Sequence, residues 1–204
     1  MKTRVLVSVL IALALAGGRA YAQDNYFFGF AYTPVVPLGN TKDFVGSGVS
    51  WRGATMEGRR VVKPNVTVGF SLGWQVMNTE TDEVVSFTDP DATQGLDVQG
   101  FQIRTINAFP LMAMAHYYLG RRGGLRPYIG GGAGLSFVEN RVNFGGILID
   151  DDTWPFTLAA DLGVAMPVGW NSAGFLFARF HWMAAAGSSD SQTYIAIGAG
   201  AAWQ

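Results

Sequence analysis

Charge is scarce in this chain, and the few ionisable side chains inside its regular segments are the ones whose types could do chemistry. His116 and His181 are its only histidines. If the chain reverses near Asn171, then Asp161, Arg179 and His181 fall opposite or diagonal to one another on two paired strands. Glu57, Arg59 and Arg104 lie on the same kind of face in other segments. Such a set has two readings: a catalytic or proton-sensitive cluster, or an ion-pair network that neutralises charge enclosed in a narrow space. The second is expected, because an enclosed charge without a partner is costly. The remaining chemical motifs are weak. The run GGGAG at 130–134 lacks the spacing of a nucleotide loop and is followed by a strand pattern. Asp150, Asp151 and Asp152 lack calcium-loop spacing and read as a solvated acidic loop. No cofactor and no metal site is expected.

The elements that carry these residues are strands. Residues 65–77, NVTVGFSLGWQVM, alternate without a break: Val66, Val68, Phe70, Leu72, Trp74 and Val76 share one side, and Thr67, Gly69, Ser71, Gly73 and Gln75 the other. Eight such segments divide the chain: 26–35, 48–62, 65–77, 101–119, 125–143, 155–168, 174–186 and 193–203. Connections after the second, fourth and sixth are short, whereas those after the first, third and fifth are longer and polar, the longest being 79–100. This rhythm implies an up-and-down arrangement with one trimmed end and one end that carries loops. In most segments the bulky apolar residues share one parity, and glycine, small side chains and occasional charge share the other. A soluble barrel would put its apolar residues inside and its charge outside. The pattern here is the reverse, so the expected fold is all-β: an eight-stranded antiparallel up-and-down transmembrane β-barrel with a lumen too narrow for large side chains.

Composition agrees. The chain has 204 residues, 27 glycines and no cysteine, which excludes a disulfide scaffold. Lys2 and Arg4, an apolar run over 5–16, and Ala20-Tyr21-Ala22 read as a signal peptide spanning 1–22, leaving a barrel domain over 23–204. Removal of Lys2, Arg4 and Arg19 leaves 11 basic against 15 acidic residues, a balance that gives no hint of nucleic-acid binding.

Three local features test this reading. In the second segment Arg52 and Arg60 fall on the outward parity eight residues apart, about 26 Å along a strand, and are expected to snorkel to the two rims. In the fourth, Asn107 falls outward and Pro110 interrupts the ladder, which predicts a bulge or register change. Trp51, Trp74, Trp154, Trp182 and Trp203 are expected to form membrane-interface girdles.

The signal peptide, LRPYIGGGAGLSF at 125–137 and the closing strand TYIAIGAGAAW at 193–203 resemble the small outer-membrane β-barrel proteins of Gram-negative bacteria. That group includes the membrane domain of outer membrane protein A, outer membrane protein X and the opacity-type surface proteins. The resemblance implies an outer-membrane location, contact with outer-membrane lipid and lipopolysaccharide, insertion by the barrel assembly machinery, and a monomer. It also implies a final strand whose terminal aromatic is read by that machinery; here Gln204 follows Trp203. Nothing like the peptidoglycan-binding domain of full-length outer membrane protein A is expected. The role implied is structural or surface-interacting, with a lumen plugged by Glu57, Arg59, Arg104, Asp161, Arg179 and His181. The alternative is a narrow, porin-like channel or transporter for small solutes or hydrophobic molecules. Some barrels of this size modify lipid A with a His and a Ser at a lipid-facing rim. Both histidines here fall on inner parities, so no enzyme is expected.

Overall fold

The computed structural model describes residues 26–46, 48–87, 96–120, 123–144, 147–169, 171–187 and 189–204. The signal peptide expected over 1–22 lies outside them. The strands are β1 (Tyr26–Tyr32), β2 (Val35–Leu38), β3 (Arg52–Lys63), β4 (Val66–Phe87), β5 (Leu96–Tyr118), β6 (Arg126–Phe144), β7 (Ile147–Thr153), β8 (Phe156–Pro167), β9 (Ser172–Met183) and β10 (Gln192–Trp203); one helix, α1 (Gly39–Val45), follows β2. Every pairing is antiparallel, and β1 pairs with both β3 and β10, so the sheet closes on itself.

These ten strands make eight walls. β1 and β2 both pair with β10 and are separated by Thr33-Pro34; β7 and β8 both pair with β6 and are separated by Trp154-Pro155. Proline has no N–H to give a ladder, and each break falls at one. Cross-strand partners followed once round the ring run Phe28, Gly58, Phe70, Ala113, Ala133, Leu158, Trp182, Thr193, Leu38. The path returns ten positions further along its starting strand, from Phe28 to Leu38. Eight strands with that stagger tilt by about 40° and enclose a cylinder of about 8 Å radius to the backbone, which leaves room for side chains and little else.

The two faces separate as the alternation requires. Outward residues such as Phe30, Ile129 and Leu162 are 52%, 60% and 63% exposed, while their inward neighbours Ala31, Tyr128 and Asp161 are buried. Inward glycines admit large neighbours. A Cβ on Gly198 would lie 2.1 Å from the Phe177 ring, and one on Gly130 would lie 2.2 Å from Asp161 Oδ1 and 2.4 Å from His116 Cδ2.

Several expectations need correction. The segment 79–100, read as loop, is largely strand: β4 and β5 stay paired from Thr79↔Arg104 to Phe87↔Leu96, forming a ribbon that continues beyond the barrel. Pro110 causes no register change. β4 and β5 skip pairing between Leu72↔Leu111 and Gln75↔Ala108 and resume in the same register. The proline ring fits because position 73 is glycine, where a Cβ would lie 2.7 Å from Pro110 Cγ. The irregularity of the ladder falls instead between Val61 and Lys63. Arg52 and Arg60 do face outward, but strand tilt reduces their separation along the barrel axis to about 20 Å. Arg60 lies 5.3 Å from the centre of the Tyr26 ring at the short-turn end. Asn107 faces outward and donates to Glu139 Oε2 at 3.0 Å.

Helix α1 had no counterpart in the sequence reading. It ends at Gly46, whose φ of 60° and N–H to Lys42 O form a left-handed cap, and it buries Thr41 and Val45 over the long-loop end. Val45 joins Val35, Met77, Ile106, Ala108, Val138 and Met183 in an apolar layer that packs across that end of the lumen.

Candidate functional site: the charged lumen

Short, tilted strands place every second side chain in the lumen, so residues distant in sequence meet when their heights match. Asp161 on β8 and Arg179 on β9 are direct cross-strand partners. Arg179 donates from Nε and Nη2 to Asp161 Oδ2 at 3.2 and 2.7 Å, from Nη1 to Ser71 Oγ at 2.8 Å, and from Nη2 to Glu57 Oε1 at 2.5 Å. Glu57 Oε2 accepts in turn from Arg59 Nε at 2.8 Å and from Arg59 Nη2. Arg59 Nη1 reaches the Tyr118 hydroxyl at 2.5 Å. His116 Nε2 stands 3.3 Å from Asp161 Oδ2. Arg59, Glu57, Arg179 and Asp161 thus cross the lumen as a line of alternating charge that ends on His116.

All five members are buried, from 1% exposure at Arg179 to 8% at Arg59. Two guanidinium groups offset two carboxylates, so the cluster holds no uncompensated formal charge when histidine is neutral. Aromatic faces complete the coordination. The Arg59 guanidinium lies 5.1 Å from the centre of Tyr128 and 5.8 Å from that of Phe175, and Arg179 lies 4.9 Å from that of Phe177.

Of the residues picked from sequence, the structure brings together Glu57, Arg59, Asp161 and Arg179 and leaves two apart. His181 stacks on Tyr194, its cross-strand partner, at 4.6 Å between ring centres, one layer nearer the long-loop end. Arg104 sits near α1, donating to Phe44 O at 3.3 Å with its guanidinium 5.8 Å from the centre of the Phe44 ring. Sequence reasoning placed His116 on an inner face without joining it to this cluster, and it missed Ser71 and Tyr118. Their inward parity was visible, but it carries no information about which walls face each other.

Above this line a neutral layer follows, with Gln75 Nε2 donating to Thr33 and Thr55 hydroxyls at 3.3 and 3.4 Å, and then the apolar layer under α1. Ser71 meets Arg179 and no histidine, so the cluster lacks a hydroxyl paired with a base. The arrangement pairs each buried charge with an opposite one. Among the described residues no group of three or more His, Cys, Asp or Glu side chains could hold a metal ion. Asp150, Asp151 and Asp152, read as a solvated loop, lie instead in strand β7 paired with β6; Arg141 Nε and Asp150 Oδ1 are 3.3 Å apart, and Asp151 accepts from Ser189 Oγ at 3.2 Å.

The outward tryptophans divide between the two rims. Trp51, Trp154 and Trp182 flank the long-loop ends of β3, β8 and β9, Trp74 pairs with Ala54 two residues into β3, and Trp203 closes β10 at the short-turn end.

No protein-family model and no curated protein matches this chain. Among solved structures it is similar to Neisserial surface protein A, at 13% identity and a TM-score of 0.56, covering 89% of this chain and 97% of that one. Lower-scoring matches include the N-terminal β-barrel domain of Pseudomonas aeruginosa OprF (13% identity, TM-score 0.46, 88% and 98% covered) and E. coli Outer Membrane Protein W (15%, 0.44, 90% and 100%). The ring closure, its stagger and the likeness to Neisserial surface protein A give this chain the fold of the small outer-membrane β-barrel proteins.

Proposed function

We propose that the protein is a monomeric, non-conducting barrel of a Gram-negative outer membrane, which adds to envelope integrity and offers its long-loop end to the exterior. Its apolar outer face suits contact with lipid and lipopolysaccharide, and its export and insertion would use the signal peptide and the barrel assembly machinery. The observation that supports this reading is the packing of the lumen at two levels. The buried line from Arg59 to His116 occupies one level, and the apolar layer of Val35, Val45, Met77 and Ile106 occupies another. An ion would have to displace paired charges and then cross hydrocarbon. The extended β4–β5 ribbon and the β6–β7 hairpin supply surface beyond the barrel for interaction. A channel or transporter would need a continuous passage instead. A lipid A-modifying enzyme would need a lipid-facing histidine, whereas His116 and His181 are 2% and 3% exposed.

The test is conductance of the purified protein in a planar bilayer. The expected record is a flat baseline at moderate voltage. Stable, reproducible single-channel steps would replace this reading with the transporter.

A further inference from the structure

The two ends of the lumen differ: an apolar layer packs beneath α1 at the long-loop end. From the short-turn end a cavity of about 360 Å³ runs inward to the charged line, within the size range of pockets that bind small molecules, about 300–1,000 Å³. Phe27, Val61, Ala165 and Phe175 give it apolar walls, and Glu57 and Arg59 form its floor. Glu57 shows the cavity little free charge, because its two carboxylate oxygens are taken by Arg59 and Arg179. Arg59 differs. Its hydrogen bonds to Glu57 and Tyr118 use three of its five N–H donors.

A second observation points to a bound group. Thr67 lines the same cavity, is 4% exposed, and its hydroxyl has no hydrogen-bond partner. Its cross-strand partner His116 is 2% exposed, and its Nδ1 also lacks one. Buried polar atoms are rarely left unsatisfied, because each unmet group costs about 1–3 kcal/mol. We propose that this cavity is a binding site for a small amphiphile with an apolar body and a carboxylate head, the body lying against Phe27 and Phe175 and the head taking donors from Arg59 and Thr67. Arg126 stands at the mouth, its Nη2 donating to Pro64 O at 3.1 Å. The site goes beyond the envelope role and is independent of conductance, since a closed lumen retains the cavity.

The probe is octanoate, added to full-length protein in phospholipid nanodiscs and followed by saturation-transfer NMR against empty nanodiscs, with octylamine as the cationic counterpart. Octanoate is expected to bind above the empty-disc background and octylamine to show none. Thr67→Val, which keeps the shape and removes the hydroxyl, is expected to weaken binding by about fivefold, the loss of one hydrogen bond. Ala165→Phe, which fills the cavity, is expected to abolish it. Folding of each variant is checked by heat-dependent gel mobility, and Thr67→Val decides alone if Ala165→Phe fails to fold. Octanoate signal equal to that of empty nanodiscs, equal binding of octylamine, or no change in a folded Thr67→Val variant would overturn the proposal.

Discussion

Arg179 touches three other strands at once: Asp161 on β8, Glu57 on β3 and Ser71 on β4. A guanidinium can do this because its donors fan out in a plane, and at 1% exposure it has no water to fall back on. Removing it leaves Asp161 with His116 alone and Glu57 with Arg59 alone, and breaking a buried pair in this way costs about 3–5 kcal/mol. In an Asp161→Ala background one of those carboxylates is already gone, so the same change should cost less, by a coupling of about 1–3 kcal/mol. Urea unfolding of wild type, both single variants and the double variant in detergent measures that difference. Equal losses in the two backgrounds would mean that the pair is not coupled. Half of this arrangement was legible from sequence. Asp161 and Arg179 flank one short turn, but counting back from Asn171 puts His181 opposite Asp161 and Arg179 on the diagonal, whereas in the structure Arg179 is the direct partner and His181 pairs with Ala159. The pairing of Glu57 with Arg179 was not legible, because it spans the lumen between β3 and β9, and only the stagger of the whole ring brings them to one height.

At the scale of elements, the sequence signal was strong wherever a strand has one face in hydrocarbon and weak wherever it does not. Residues 79–87 carry Thr, Glu, Asp, Val and Ser without an apolar parity, so nothing in the pattern separates a paired ribbon from a loop. A two-stranded ribbon outside the barrel needs only backbone pairing and β-branched residues, and Thr and Val supply those. Helix α1 escaped notice for a related reason. It is seven residues long, starts at Gly39 and has no side-chain N-cap, so its own propensity is poor and its burial of Thr41 and Val45 at the barrel mouth holds it. The ribbon and the helix therefore differ in what they support. Among the described residues between Asp82 and Phe101, the ribbon pairs only with itself. Replacing residues 83–100 by a two-residue Asn-Gly turn should leave the heat-dependent gel shift intact and move the urea midpoint by less than about 0.5 kcal/mol in stability. A larger loss would show that the ribbon braces the barrel.

The whole molecule is a cylinder whose outside has been sorted by height. On β10 the outward residues Ile195, Ile197, Ala199, Ala201 and Trp203 carry no charge, and Trp182 is the partner of Thr193 near the opposite rim. Trp182 and Trp203 are therefore separated by about 20–25 Å along the axis, close to the apolar band of about 25 Å that such barrels present. Indole favours the interface because its ring is apolar and its N–H needs a partner that acyl chains lack. Four of the five rings stand toward the long-loop rim, where the β4–β5 ribbon and the β6–β7 hairpin leave the cylinder, so that rim is the more heavily marked. Vesicles made with lipids brominated near the headgroup or near the acyl-chain end would test this, using protein with Trp170 changed to Phe so that only these five emit. Shallow bromines should quench more than deep ones. With Trp203 also changed to Phe the preference should persist, because the remaining four rings sit near one rim. Stronger quenching by the deep bromines would place the rings at mid-bilayer, and the girdle reading, with the membrane level it sets for the charged lumen, would have to be abandoned.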